Sequence, residues 1–99
     1  MKMPDWLNAR RILRSTGSII TQEIEEDGYI LTYAAGQNGS IGIFLNGHSI
    51  AFGRSQDGAH DIDHCFIPVK KFDVVSSGGI EKWYSPCSLD AIVYFIPFK

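Results

Sequence analysis

Residues 58–65 read Gly-Ala-His-Asp-Ile-Asp-His-Cys and hold the densest cluster of reactive side chains in the chain. Imidazole, carboxylate and thiol groups bind transition metals and move protons near neutral pH. Two chemistries are therefore open to this segment. A small enzyme would use His60 or His64 as an acid/base, with a carboxylate to orient the imidazole and a concave pocket around it. A metal-binding accessory domain would instead gather the same groups around an ion. Spacing argues against a shared ion. In extended chain His60, Ile62 and His64 project one way and Asp61, Asp63 and Cys65 the other, so the two imidazoles stand ~13 Å apart by the usual strand rise. The flanking Gly and Asp residues give no reason for a helix that would bring them together. Residues 53–63 read first as a long polar loop, leading into a strand whose Cys65 is core.

Other chemistry is weaker still. No serine sits in a Gly-x-Ser-x-Gly elbow, the arrangement that exposes a nucleophile. Gly36-Gln37-Asn38-Gly39-Ser40 resembles a phosphate loop only in composition, because it lacks the Lys-Ser/Thr ending. His48 follows an Asn-Gly turn and is placed to cover the end of a hairpin. No catalytic residue, metal or cofactor is assigned.

Charge gives a better lead. Lys2, Arg10, Arg11 and Arg14 make the first twenty residues basic, whereas Glu23, Glu25, Glu26 and Asp27 crowd one short stretch. A second acidic stretch, Asp57, Asp61 and Asp63, carries His60 and His64 with it. Exposed like charges repel by a few tenths of a kcal/mol per contact. A basic partner would relieve that repulsion and be steered in by it. With Tyr29 as a semi-exposed aromatic at the centre of the contact, the candidate partner-binding residues are Glu23, Glu25, Glu26, Asp27, Tyr29, Asp57, His60, Asp61, Asp63 and His64. The net charge of −2 and the absence of a chain-wide basic field argue against nucleic acid as the partner.

Ninety-nine residues, 44% of them hydrophobic and 20% charged, suit one soluble globular domain spanning 1–99. Cys65 and Cys87 match no disulfide framework and no CxxC pair, and the N-terminus runs into a polar, arginine-bearing segment without an apolar export core. The longest apolar run, residues 91–96, is far too short to cross a bilayer. These features lead us to expect reduced thiols, a cytoplasmic location and no membrane contact. The function they suggest is a small protein-interaction module. Its most concrete form is an inhibitor or immunity-type protein that occludes the active site of a basic partner such as a nuclease toxin.

The elements that would position these residues are mostly strands. Asn46-Gly47, between residues 41–45 and 48–52, is a strong hairpin signal, since a type I′ turn needs positive φ at both central positions. A two-residue turn sets Leu45 opposite His48, Ile43 opposite Ile50 and Ile41 opposite Phe52, with the apolar members of those pairs on one face. Further hairpins are expected about Asp27-Gly28 and Gly78-Gly79. Residues 89–98 are apolar on both faces and read as a covered central strand, though a free edge there would let two copies pair into a homo-oligomer. Residues 4–15 carry a rough helical stripe of Trp6, Ala9, Ile12 and Leu13 with Gly17 placed to end it, although part of the stretch could pair as an edge strand. The expected fold is α+β: a twisted antiparallel sheet of six or seven strands in a hairpin meander, with one N-terminal helix packed on it. The alternative is a small β-sandwich or barrel-like fold.

Overall fold

The computed structural model describes residues 2–99. A single 3-10 turn, Trp6–Asn8, precedes six strands: β1 (Arg10–Ser15), β2 (Thr21–Glu23), β3 (Gly28–Leu45), β4 (His48–Val69), β5 (Val74–Lys82) and β6 (Ser88–Pro97). Every pairing is antiparallel. The order across the sheet is β1-β6-β3-β5-β2, with β4 paired to β3 off that path. The α+β expectation is corrected here: the fold is nearly all β, a sheet curled into a half-barrel, and no N-terminal helix packs on it.

β3 is the spine. β4 runs along one edge from the Gly28↔Val69 pair to the Leu45↔His48 pair. The opposite edge is filled by β6 over residues 28–37 and by β5 over residues 39–45. With both edges bonded, the backbone of an 18-residue strand is satisfied in the interior. Ile30, Ala34, Ile41 and Ile43 turn inward to meet Ala91, Val93 and Phe95 of β6 and Leu13 of β1, all essentially buried. Each large side chain buried there contributes about 1.5–3 kcal/mol. Backbones approach closely where Gly36 and Gly53 meet. A Cβ on Gly53 would lie 2.8 Å from both the Gly36 nitrogen and the Asp61 carbonyl oxygen.

The expected helix over 4–15 is a strand for a non-local reason. Residues 10–15 pair with β6, from Arg10↔Phe95 to Ser15↔Ala91 with a bulge after Arg11. This buries Leu13 and leaves Trp6 and Ala9 of the supposed stripe exposed. A helix would have left that edge of β6 unbonded, so tertiary pairing overrides the local signal.

The same competition removes two hairpins. Residues 18–26 do not fold back on β3, because β3 spends both edges on β4 and β6; Thr21–Glu23 pairs with β5 instead. Gly78-Gly79 lies inside β5, where the two glycines make room for the Phe44 and Phe52 rings. The Asn46-Gly47 turn does form, with φ of 50° and 83°, and Leu45 faces His48. One residue later a bulge intervenes, so that Ile43 pairs with Ala51 and not Ile50. The slip moves every following side chain to the other face. Ala51 is buried beside Ile41 and Ile43, while Phe52 lies with Phe44 over Gly42 and Gly79.

Two further corrections concern exposed chain. Residues 53–63 are no loop, because they belong to β4; only residues 56–59 leave the ladder, between the Gly39↔Ser55 and Gln37↔His60 pairs. The C-terminal strand is central, as its apolar density suggests. It is flanked by β1 and β3, so it offers no free edge to a second copy. Its outer face is not covered throughout, for Tyr94 is 41% exposed.

Candidate interaction surfaces

The outer face of the β1–β6–β3–β4 half is built in rows by strand register. Arg11, Tyr94, Leu31 and Phe66 stand opposite one another across the four strands. Arg14, Ile92, Tyr33 and His64 form the next row, and Asp90, Ala35 and Ile62 begin the third. Tyr94, Phe66 and Ile62 are exposed, the last at 56%. Arg14 and Asp90 form an ion pair at 3.4 Å beside this face. At its end Trp6 stacks on Phe66 with centroids 5.3 Å apart, and Phe66 stacks on Tyr29 at 4.9 Å. Tyr29 meets Phe98 edge-on and donates its phenol hydrogen to the Lys2 carbonyl at 2.6 Å. The 3-10 turn thus lays its tryptophan along the sheet, and over half of that residue stays open to water.

Tyr29 is therefore not the semi-exposed aromatic expected from sequence. It is 7% exposed, sealed under Phe66. The residues on this face that sequence reasoning missed are Trp6, Phe66 and Tyr94. The signal that could have found them is the doubly apolar run at 89–98: in an antiparallel sheet, a strand apolar on both faces with only one core to fill leaves the other face open.

The acidic residues do not converge. Asp27 precedes the Gly28↔Val69 pair, whereas Asp61 stands opposite Gly36, about 25 Å further along the ribbon by strand rise. At the first site, Glu26 lies 3.8 Å from Arg10, whose guanidinium also covers the Phe95 ring. Asp27 accepts the Lys71 amide at 2.8 Å. Glu23 and Glu25 are exposed, and among the described residues neither forms an ion pair. At the second site, Asp57 accepts the Ser55 hydroxyl and the Ala59 amide, closing a local turn. The Ala59 amide first, and the Ser55 hydroxyl second, hold the Asp57 carboxyl below its ordinary range. Asp61 accepts the Arg54 amide at 2.9 Å, and Asp63 accepts the amides of Phe52 and His64.

His48, His60 and His64 are all exposed. His60 pairs in register with Gln37 and His64 with Tyr33, so the strand spacing holds them apart. Among the described residues no three His, Cys, Asp or Glu side chains gather as a metal site. Cys65 is half-buried; burial, and then the Asp63 charge, push its thiol upward, away from the thiolate that nucleophilic or metal chemistry uses. A concavity of about 420 Å³ lies between Asp27, Pro68, Val69, Lys70, Asp73 and Phe98. Its two carboxylates already accept the Lys71 and Lys70 amides. A smaller one of about 30 Å³ sits in the seam between Ile12 and Gln22. Neither is lined by a histidine. Among the described residues no helix is long and apolar enough to cross a membrane. No protein-family model and no curated protein matches this sequence.

Proposed function

We propose that the protein is a small protein-interaction module of the inhibitor or immunity type, which docks a partner protein and occludes the surface that partner works with. One observation carries the reading: Trp6, Phe66, Tyr94 and Ile62 lie open to water on or beside one sheet face, and among the described residues only the 3-10 turn, through Trp6 on Phe66, leans over it. Contiguous exposed apolar surface of this kind marks interaction sites, and aromatic side chains are what interface centres are enriched in. Four strands about 4.8 Å apart over some seven residues give a face of roughly 400 Å². A stable interface needs about 800 Å² from each side, so the aromatic face supplies a centre and neighbouring polar residues the rim. Arg11, Arg14, Asp90 and His64 are placed to form it. That the partner is basic is the finer part of the proposal. It is supported by Glu23 and Glu25, exposed carboxylates outside any ion pair described here.

The test is capture of the partner from the native host followed by measurement of its affinity for surface variants. Phe66→Ala with Tyr94→Ala is expected to weaken binding at least tenfold while the circular dichroism stays that of the parent. Glu23→Lys with Glu25→Lys is expected to slow association and flatten its salt dependence. Binding that survives both pairs of substitutions would overturn the proposal.

A further inference from the structure

We propose that Asp61 and Asp63 hold the open edge of β4 shut against strand pairing with a second copy of this chain. β4 is 22 residues long and is bonded along one edge only, to β3. A free edge, here in two stretches on either side of residues 56–59, offers a row of amide donors and carbonyl acceptors on which another strand can form. Here three of the strand's amide donors are already taken. The Phe52 amide donates to Asp63 Oδ2 at 3.1 Å, the Arg54 amide to Asp61 Oδ2 at 2.9 Å, and the His64 amide to Asp63 Oδ1 at 2.9 Å. Further along, Pro68 has no amide hydrogen to give.

The excursion at residues 56–59 makes this possible. It turns the strand back so that residues 61 and 63 lie beside 54 and 52. Gln37 Nε2 donates to the Gly58 carbonyl oxygen at 2.9 Å and anchors the excursion. An arriving strand would have to displace two carboxylates from charge-assisted hydrogen bonds and set its own carbonyl oxygens against those negative charges. The occupant that the bare edge would accept is a second β4. Two identical edges pair antiparallel about a twofold axis, each satisfying the other's donors and acceptors. Ile62 and Phe66, exposed on the same strand, add apolar contact across such a junction.

The experiment uses the full chain with Asp61→Ala and Asp63→Ala together, followed by sedimentation velocity over a concentration series and by amide hydrogen exchange. The double variant is expected to associate at least tenfold more tightly than the parent chain. The Phe52 and Arg54 amides should exchange faster than in the parent when dilute, and regain protection on association. A folded double variant that associates no more than the parent overturns the proposal. So does association that leaves those two amides unprotected, because the contact would then lie elsewhere. Should the double variant fail to fold, the two single variants carry the same test: each is expected to associate to a lesser degree, and the absence of association in both overturns the proposal.

Discussion

Asp57 and Cys65 show how far local surroundings set the behaviour of a side chain in this fold. Asp57 is favoured as carboxylate because the Ala59 amide and Ser55 hydroxyl donate to it. Its folded pKa lies below the unfolded one, so its contribution is present above the unfolded value, near pH 4, and is lost as pH falls through the lowered folded value. The group is fully exposed, and the expected effect is confined to the turn. The Ala59 amide resonance should titrate in acid with an inflection below the ordinary Asp range, and Asp57→Ala should abolish that inflection. Cys65 runs the opposite way. Burial and Asp63 raise its pKa, so its contribution is present below the unfolded value and is lost as pH rises through the raised one. Alkylation of Cys65 by iodoacetamide at pH about 8 should be slower than that of a model thiol. Asp63→Asn should accelerate it; equal rates would show that the neighbouring charge does not act on the sulfur. Residue chemistry of this sort was partly legible in the sequence. The alternation that sets Asp61, Asp63 and Cys65 on one side of an extended chain follows from the pleat alone. What those carboxylates hold was not legible, because the Phe52 and Arg54 amides come alongside only after residues 56–59 turn back.

At the scale of elements, the turn types were readable and the pairings were not. Asn46-Gly47 makes its turn because positive φ is a property of two residues, whatever surrounds them. Asp27-Gly28 and Gly78-Gly79 carry a similar local signal and make no hairpin: both edges of β3 are taken by other strands, which leaves Thr21–Glu23 to pair with β5, and residues 74–82 run along β3 as one strand. The bulge after Ile43 is of the same kind: leaving Ile50 unpaired lets Ala51 fill the core, a choice made by packing against distant strands. Two substitutions separate local from non-local roles. Gly53→Ala places a methyl carbon 2.8 Å from backbone atoms of Gly36 and Asp61, neither of which can swing away as a side chain could. A loss of about 1–3 kcal/mol is expected, seen as a fall in Tm of several degrees or more. Replacing residues 56–59 with a Gly/Ser linker of equal length should shift Tm by only a few degrees. That segment lies off the ladder and surrenders only the Asp57 turn and the Gln37 anchor. A collapse of stability in the linker variant would show that the excursion packs as part of the core.

For the molecule as a whole, the decisive property is how far apart in sequence its partners lie. β1 finds β6, pairing Arg10 with Phe95, and Pro4 bridges to Phe98, so the two ends of the chain complete one side of the sheet. β3 and β4 begin at a tight turn, yet their ladder runs out to Gly28 and Val69. The helix read into residues 4–15 would have supplied local contacts and an early nucleus. Without it, stability comes from closing large loops, whose entropy must be met before the contacts reward it. Folding from denaturant is therefore expected on the millisecond-to-second scale of all-β domains of this size, and not in microseconds. The nucleus should include the Asn46-Gly47 hairpin, the one element whose closing contacts are local. Asn46→Ala removes the side-chain bonds to the Val74 amide and the Asp73 carboxylate as well as the favoured turn conformation, and is expected to slow folding more than it speeds unfolding. Val93→Ala, in the middle of β6, is expected to act mainly on the unfolding rate, since its strand pairs only with β1 and β3, both far from it in sequence. Stopped-flow fluorescence of Trp6 and Trp83 over a urea series measures both. If Val93→Ala slowed folding as much as Asn46→Ala did, assembly would start from the joined ends of the chain and not from the hairpin.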